Sequence, residues 1–186
     1  MEGINQKVLP AISTMKDFEK FLESSYEFCI VMDFHIGQLN AISTMAERAR
    51  KSIIIHVDLI KGLSRDEYAA IYLCQNIKLA GLISTHSSVI QTAKKKNKIA
   101  IQRIFLIDGQ SLEKSYRLIE NSKPDYVEVL PGLMPRMIST VKENIKIPII
   151  TGGLITTAED IEEAIKAGAV AVTTSNRELW KLNDRE

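Results

Sequence analysis

Eight short apolar runs, each followed by a stretch that fits a helix, constrain this chain more than any other feature. The runs begin near residues 8, 28, 53, 81, 99, 126, 147 and 169. FCIVM at 28–32, SIIIHV at 52–57, YVEVL at 126–130 and IPII at 147–150 are rich in β-branched residues and nearly continuous. Runs of that kind suit parallel strands covered on both faces. Between them Phe18, Phe21 and Leu22, then Tyr68, Ile71, Tyr72 and Gln75, then Ile161, Ala164, Ile165 and Gly168 recur at helical spacing and mark the expected apolar faces. Regular alternation of strand and helix specifies an α/β fold with a parallel sheet. Eight repeats point to a closed, compact TIM-type (β/α)8 barrel more than to an open sheet. The 186 residues make that barrel tight, since a short strand, a helix and two brief loops need about 22 residues per unit. The last helix, around residues 177–180, is expected to be reduced. No Pro/Gly/Ser-rich linker interrupts the series, so residues 1–186 read as one barrel-like domain.

Charge and cysteine content narrow the function classes. The 24 Lys+Arg and 23 Asp+Glu leave a formal charge of +1, which removes a global argument for nucleic-acid binding but leaves room for a local patch. No apolar run approaches the ~18 residues that cross a bilayer, and MEGINQKVLP has no secretory signal pattern. Cys29 and Cys74 both lie in apolar stretches without metal-ligand spacing. They read as buried thiols of a cytoplasmic protein.

In a barrel of this kind functional groups follow the strands, on the C-terminal face. Asp33 and His35, His56, Asp58 and Lys61, Ser84 and His86, Arg103, Glu128, Thr151-Gly152-Gly153 and Thr173-Thr174-Ser175-Asn176 all fall at such ends. A Gly-Gly pair allows close approach of a ligand to the backbone. Thr156 with Glu159 and Thr157 with Asp160 each resemble a capping box, so a helix opens just after it. Helix N-termini with bare N–H groups attract dianions, and the seventh and eighth loops are where such barrels often hold phosphate. The pattern therefore points to a phosphate site at Gly152, Gly153, Thr173, Thr174 and Ser175, with Thr151 beside it. The bland alternative is a turn and its caps. Arg103, in an apolar stretch, is expected either to help hold the anion or to form a structural pair with Glu128 on the next strand. His56 and Asp58 share one side of their strand by the two-residue repeat. Lys61 either neutralises a ligand or is solvated, and the three histidines show no metal spacing.

Two basic runs precede strands and so belong on the N-terminal face. They are Arg48, Arg50 and Lys51 before the third strand, and Lys94, Lys95, Lys96 and Lys98 before the fifth. They are either solvated helix ends complementing the dipole or a patch for nucleic-acid phosphates.

The blocks HVDLIKGL (56–63), LISTHSSVI (82–90), AIQRIFLID (100–108), DYVEVLPG (125–132), IPIITGGLI (147–155), AVTTSN (171–176) and the closing LW (179–180) closely resemble the glycerol uptake operon antiterminator regulatory proteins of bacteria. The resemblance runs through essentially the whole chain. It implies a small TIM-type barrel that binds RNA rather than catalysing a reaction, with glycerol 3-phosphate as effector and no cofactor. Liganded protein would bind the leader mRNA of glycerol-catabolism genes and prevent a terminator hairpin. The phosphate would fall to the seventh and eighth loops, and the polyol end to groups such as Asp58, Arg103 and Glu128. A homo-oligomer is one way to complete the RNA surface. The alternative is a phosphate-binding barrel enzyme of the isomerase, aldolase or decarboxylase class using Asp58, Glu128 and His56. However, DLIK at 58–61 is not the D-x-K-x-x-D arrangement of the orotidine decarboxylase type, and no lysine lies within a strand to form a Schiff base. A third reading is a binding subunit acting through protein partners, with exposed apolar residues around 104–107 as its interface.

Overall fold

A computed structural model describes residues 3–181. Strands and helices alternate as β1 (Val8–Ile12), α1 (Met15–Glu23), β2 (Phe28–Val31), α2 (Leu39–Arg48), β3 (Ser52–His56), α3 (Glu67–Asn76), β4 (Gly81–Ser84) and α4 (Ser87–Lys95). The second half continues with β5 (Ile99–Phe105), α5 (Gly109–Ser122), β6 (Tyr126–Leu130), α6 (Pro135–Asn144), β7 (Ile149–Gly152), α7 (Ala158–Lys166), β8 (Ala169–Thr174) and α8 (Arg177–Trp180). The eight strands pair in chain order, all parallel, and β8 closes on β1. This is the TIM-type barrel that the alternation requires.

Local chemistry starts the helices where the strands release the chain. Thr14, Asp66, Asp108 and Thr157 each accept a hydrogen bond from a first-turn amide, and Pro135 opens α6, where a missing N–H costs nothing. The reduced last helix is four residues long. It is anchored by buried Leu179 and Trp180 and by the indole N–H donating to the Thr174 carbonyl at 3.0 Å. No helix among the described residues is long and apolar enough to cross a membrane.

Two expectations shift. β7 begins at Ile149 rather than Ile147, because Pro148 has no N–H for the ladder. In α3 the buried residues are Ala69, Ala70 and Leu73, while Tyr68 is 73% exposed and Tyr72 also faces out. This helix is apolar on nearly every side, so its period marks two faces equally well. Packing selects the alanines, whose small side chains let the helix lie close to the strands, and leaves the tyrosine hydroxyls in water.

Strand parity divides the core in two. One cluster lies between barrel and helices. A second fills the lumen with Leu9, Phe28, Ile30, Ile54, Ile83, Ile99, Ile101, Ile150 and Ala171. Because side chains repeat every two residues, the positions two beyond the last of these on each strand face the same lumen, one layer nearer the C-terminal mouth. That layer holds the candidate site.

Candidate functional site

Following each strand by two residues from the apolar lumen gives Ala11, Met32, His56, Thr85, Arg103, Glu128, Gly152 and Thr173. Glu128 starts from Tyr126, which packs against the inner cluster. Arg103 and Glu128 are register partners on β5 and β6, and Gly152 and Thr173 are partners on β7 and β8. The Arg103 Nε donates to Glu128 Oε2, with the arginine side chain 14% exposed and the carboxylate fully buried. Thr173 Oγ1 donates to Glu128 Oε1 at 2.9 Å. The carboxylate thus engages both its oxygens in holding Arg103 and Thr173 in place. Arg103 both pairs with Glu128 and reaches the cavity, so the two readings of this residue are compatible.

Above this layer lies a cavity of about 220 Å3 lined by Arg103, Thr173, Thr174, Ser175, Gly153, Leu154 and Ile155, with Ala11, Met32 and Leu130 as its apolar wall. That volume is below the ~300 Å3 at which drug-sized sites begin, so the cavity suits a small ligand. Gly152 is required by space: a Cβ there would lie 1.9 Å from Thr173 Oγ1. Gly153 and Leu154 both adopt positive φ, +74° and +63°. A left-handed leucine that is also 68% exposed is unusual enough to mark a functional segment. The ladder pairing of Gly152 with Thr173 directs the Gly153 amide to the Thr173 carbonyl, whereas among the described residues the backbone amides of Leu154, Ile155 and Ser175 have no partner in the chain.

The donors differ from the helix termini expected above. Asp160 accepts from the amides of Thr156 and Thr157, both at 2.8 Å, and its amide donates to Thr157 Oγ1. The box formed is therefore Thr157 with Asp160, and it closes the start of α7 from within. Asn176 caps α8 through the Glu178 amide. The open amides come from the loops instead, and positive φ at Gly153 and Leu154 turns the backbone of the seventh loop away from both ladder and helix.

Other expected residues lie elsewhere. Thr151 is buried on the outer parity and donates to the Val129 carbonyl at 2.7 Å. Lys61 is exposed and joins two loops through its backbone, its N–H to Phe34 O and its carbonyl accepting from Ile36 N–H, both at 2.9 Å. The strand repeat ends at His56, because Val57–Leu59 form a 3-10 turn. Asp58 therefore turns toward β4, where its carboxylate accepts from Ser84 Oγ, the Thr85 amide and Thr85 Oγ1. Burial pushes its pKa up, but these three bonds outweigh it and hold the group below the usual carboxylate value. Asp58 thus ties the third loop to the fourth. The lining roles of Met32, Leu154 and Ile155 escaped sequence reading, since apolar residues in loops carry no signal of their own.

His56 is 1% exposed, and neither ring nitrogen has a partner among the described residues. Burial, then the charge of Arg103, push its pKa down to about 3 against the opposing pull of Asp58. An unfolded chain takes that proton near pH 6.5. Stability is therefore expected to fall as pH drops from about 6.5 toward 3, by roughly 3–5 kcal/mol from this residue. Urea denaturation at a series of pH values should show the slope, and His56→Leu should flatten it.

On the opposite face the two basic runs come together. Lys51 and Lys98 line a hollow of about 220 Å3 with Lys78 and Glu47. Lys51 Nζ donates to the Ser24 and Tyr26 carbonyls, both at 2.6 Å, and Lys98 Nζ to the Leu79 carbonyl at 2.9 Å. Lys94 pairs with Asp125. Arg48, Arg50, Lys95 and Lys96 flank these anchored residues and are exposed.

Comparison with known proteins gives this geometry a family. The model of the glycerol-3-phosphate responsive antiterminators matches residues 8–180. The chain belongs to that antiterminator family. It is similar to the glycerol uptake operon antiterminator regulatory protein from Listeria monocytogenes, with 40% identity, a TM-score of 0.93 and 96% of each chain covered. A glycerol uptake operon antiterminator-related protein from Thermotoga maritima shares 25% identity with a TM-score of 0.83, over 95% of this chain and 99% of that one. An uncharacterized Escherichia coli protein, YgcP, is 34% identical over 93% of this chain and 92% of its own length. In antiterminator terms, the match spans every strand from β1 to β8 and reaches Trp180 at the end of α8.

Proposed function

We propose that this antiterminator binds glycerol 3-phosphate at the C-terminal mouth of its barrel and, when liganded, the leader mRNA of glycerol-catabolism genes at the opposite face. The observation that carries the ligand half is the set of three loop amides at Leu154, Ile155 and Ser175, unengaged among the described residues, beside Arg103. A phosphate dianion takes several N–H donors and a guanidinium together. Thr174 and Ser175 supply hydroxyls at the same wall, while the Thr173 hydroxyl proton is held by Glu128. The RNA half rests on Arg48, Arg50, Lys95 and Lys96, exposed around an anchored lysine cluster. For the ligand to regulate, it must bind the RNA-competent state more tightly than the other. A coupling of about 1–3 kcal/mol changes RNA affinity roughly 5- to 150-fold.

The enzyme alternative is weaker on chemistry. Among the described residues the polar layer of the lumen offers no lysine for a Schiff base, and the carboxylates of Glu128 and Asp58 are already engaged by the chain. Self-association fits an apolar rim formed by Phe105 at the end of β5 with Ile107, Leu133, Met134 and Leu154 on the loops after β5, β6 and β7, all exposed. Sedimentation of the purified protein should show a dimer or larger species, and Ile107→Glu should dissociate it; a monomer at all concentrations refutes this.

Filter binding of leader RNA at fixed salt should show affinity rising with added glycerol 3-phosphate and not with glycerol. Affinity should fall linearly on a log–log salt scale, and Lys96→Ala should reduce that slope by about one phosphate contact. RNA binding indifferent to glycerol 3-phosphate would overturn the reading.

A further inference from the structure

We infer that His56 is a hydroxyl-reading subsite of the barrel, which selects a phosphate ester with a short hydroxylated tail over a bare or aliphatic phosphate. The inference rests on the ligand site proposed above and adds to it what recognises the other end of the ligand.

Three observations meet at this residue. His56 is 1% exposed, yet both its ring nitrogens lack a partner among the described residues. Its polar neighbours in the same layer are engaged: Glu128 by Arg103 and Thr173, and Thr85 Oγ1 by Asp58. Parity places its ring in the lumen, two residues beyond Ile54 of the inner cluster.

A neutral imidazole offers one N–H donor and one lone pair. A buried pair of this kind left unmatched is costly, so the group suited to it both donates and accepts. A hydroxyl does so; a phosphate oxygen or a methyl group does not. Burial and Arg103 keep the ring neutral across the physiological range, which preserves the acceptor nitrogen that a protonated ring would lose.

Position agrees with chemistry. The open amides and hydroxyls cluster on the loops after β7 and β8, whereas His56 is on β3, across the lumen. Arg103 and Met32 line the cavity on the His56 side, Met32 extending from the strand next to β3. Met32 is an unbranched side chain that can swing, and methionine adapts readily to what it packs against, while Arg103 stays held by Glu128. A ligand anchored by its phosphate at Leu154 and Ser175 would direct its tail past Met32 to His56. Asp58 and Glu128 do not serve this end, since the chain already holds their oxygens.

The test is calorimetric titration of the full chain with glycerol 3-phosphate, propyl phosphate and inorganic phosphate. Wild-type protein should prefer glycerol 3-phosphate to propyl phosphate by about tenfold or more, since an unmatched buried polar group penalises the analogue lacking the hydroxyl. His56→Leu and His56→Met should lower glycerol 3-phosphate affinity by about 10- to 100-fold, to near that of propyl phosphate, with propyl phosphate affinity unchanged. His56→Gln, which keeps a donor and an acceptor, should restore part of the preference. Equal loss for both esters, or no loss for either, would make His56 a structural histidine and overturn the inference. Failure of the wild-type protein to bind any of the three phosphates would instead overturn the phosphate site itself. Should the leucine variant fail to fold, methionine of similar reach gives the same readout.

Discussion

Replacing Arg103 with leucine should destabilise the protein by about 3–5 kcal/mol and abolish anion binding together. Glu128 has no exposure, and its Oε2 depends on the Arg103 Nε–H. Removing one partner of a buried pair leaves the other charge uncompensated, which is far worse than removing both. For a chain of this size the loss corresponds to a melting temperature lower by on the order of 10 °C. The double variant Arg103→Leu/Glu128→Leu separates structure from function. It should recover most of the stability, because two apolar groups replace an ion pair and its desolvation cost, yet it should remain unable to bind phosphate. Thermal melts and phosphate titration on the three proteins decide the matter. A double variant no more stable than the single one would show that the pair is not the source of the loss.

Gly152→Ala should be more damaging than Gly153→Ala, although both lie in one turn. A Cβ at position 152 meets Thr173 Oγ1 at 1.9 Å and the Thr173 carbonyl at 3.0 Å. Thr173 must then rotate away from Glu128 and push on the wall of the cavity. Overpacking of this kind costs about 1–3 kcal/mol, and the lost hydrogen bond adds about 1 kcal/mol. At position 153 the nearest atom is Leu130 Cδ2 at 3.4 Å, so space is available. Only the left-handed φ of +74° is penalised there, at about 1–2 kcal/mol. Phosphate affinity should drop at least tenfold in Gly152→Ala, with a smaller drop in Gly153→Ala. Comparable stability and affinity in the two variants would refute the steric account.

The placement of much of the candidate site was readable from strand ends. Gly152, Gly153, Thr173, Ser175 and Arg103 follow apolar runs at positions a barrel must bring to one face, and the structure groups them. Asp58 shows where such reading stops. Its spacing from His56 promises a shared side, but a 3-10 turn after His56 redirects it to the β4 loop. Thr151 is one residue off the lumen parity and so lies outside the cavity. The helix-capping motif at 156–160 was legible as chemistry, but its acceptor, Asp160, belongs to the chain and not to a ligand's surroundings. In α3 an apolar surface on almost every side hid which face would be covered.

The sequence by itself determined the closed barrel, because eight β-branched runs at near-regular spacing have few other ways to bury both faces. It also determined which strand ends carry polar chemistry, since a two-residue repeat on a known strand settles the side on which each group lies. Only the tertiary structure decided which of those groups remain available. Glu128, Asp58 and Thr151 are engaged by partners 22 to 45 residues away along the chain, whereas among the described residues the His56 ring and three loop amides are left without one. Hydrogen bonds form between neighbours in space, and for these residues closure of the barrel sets the neighbours.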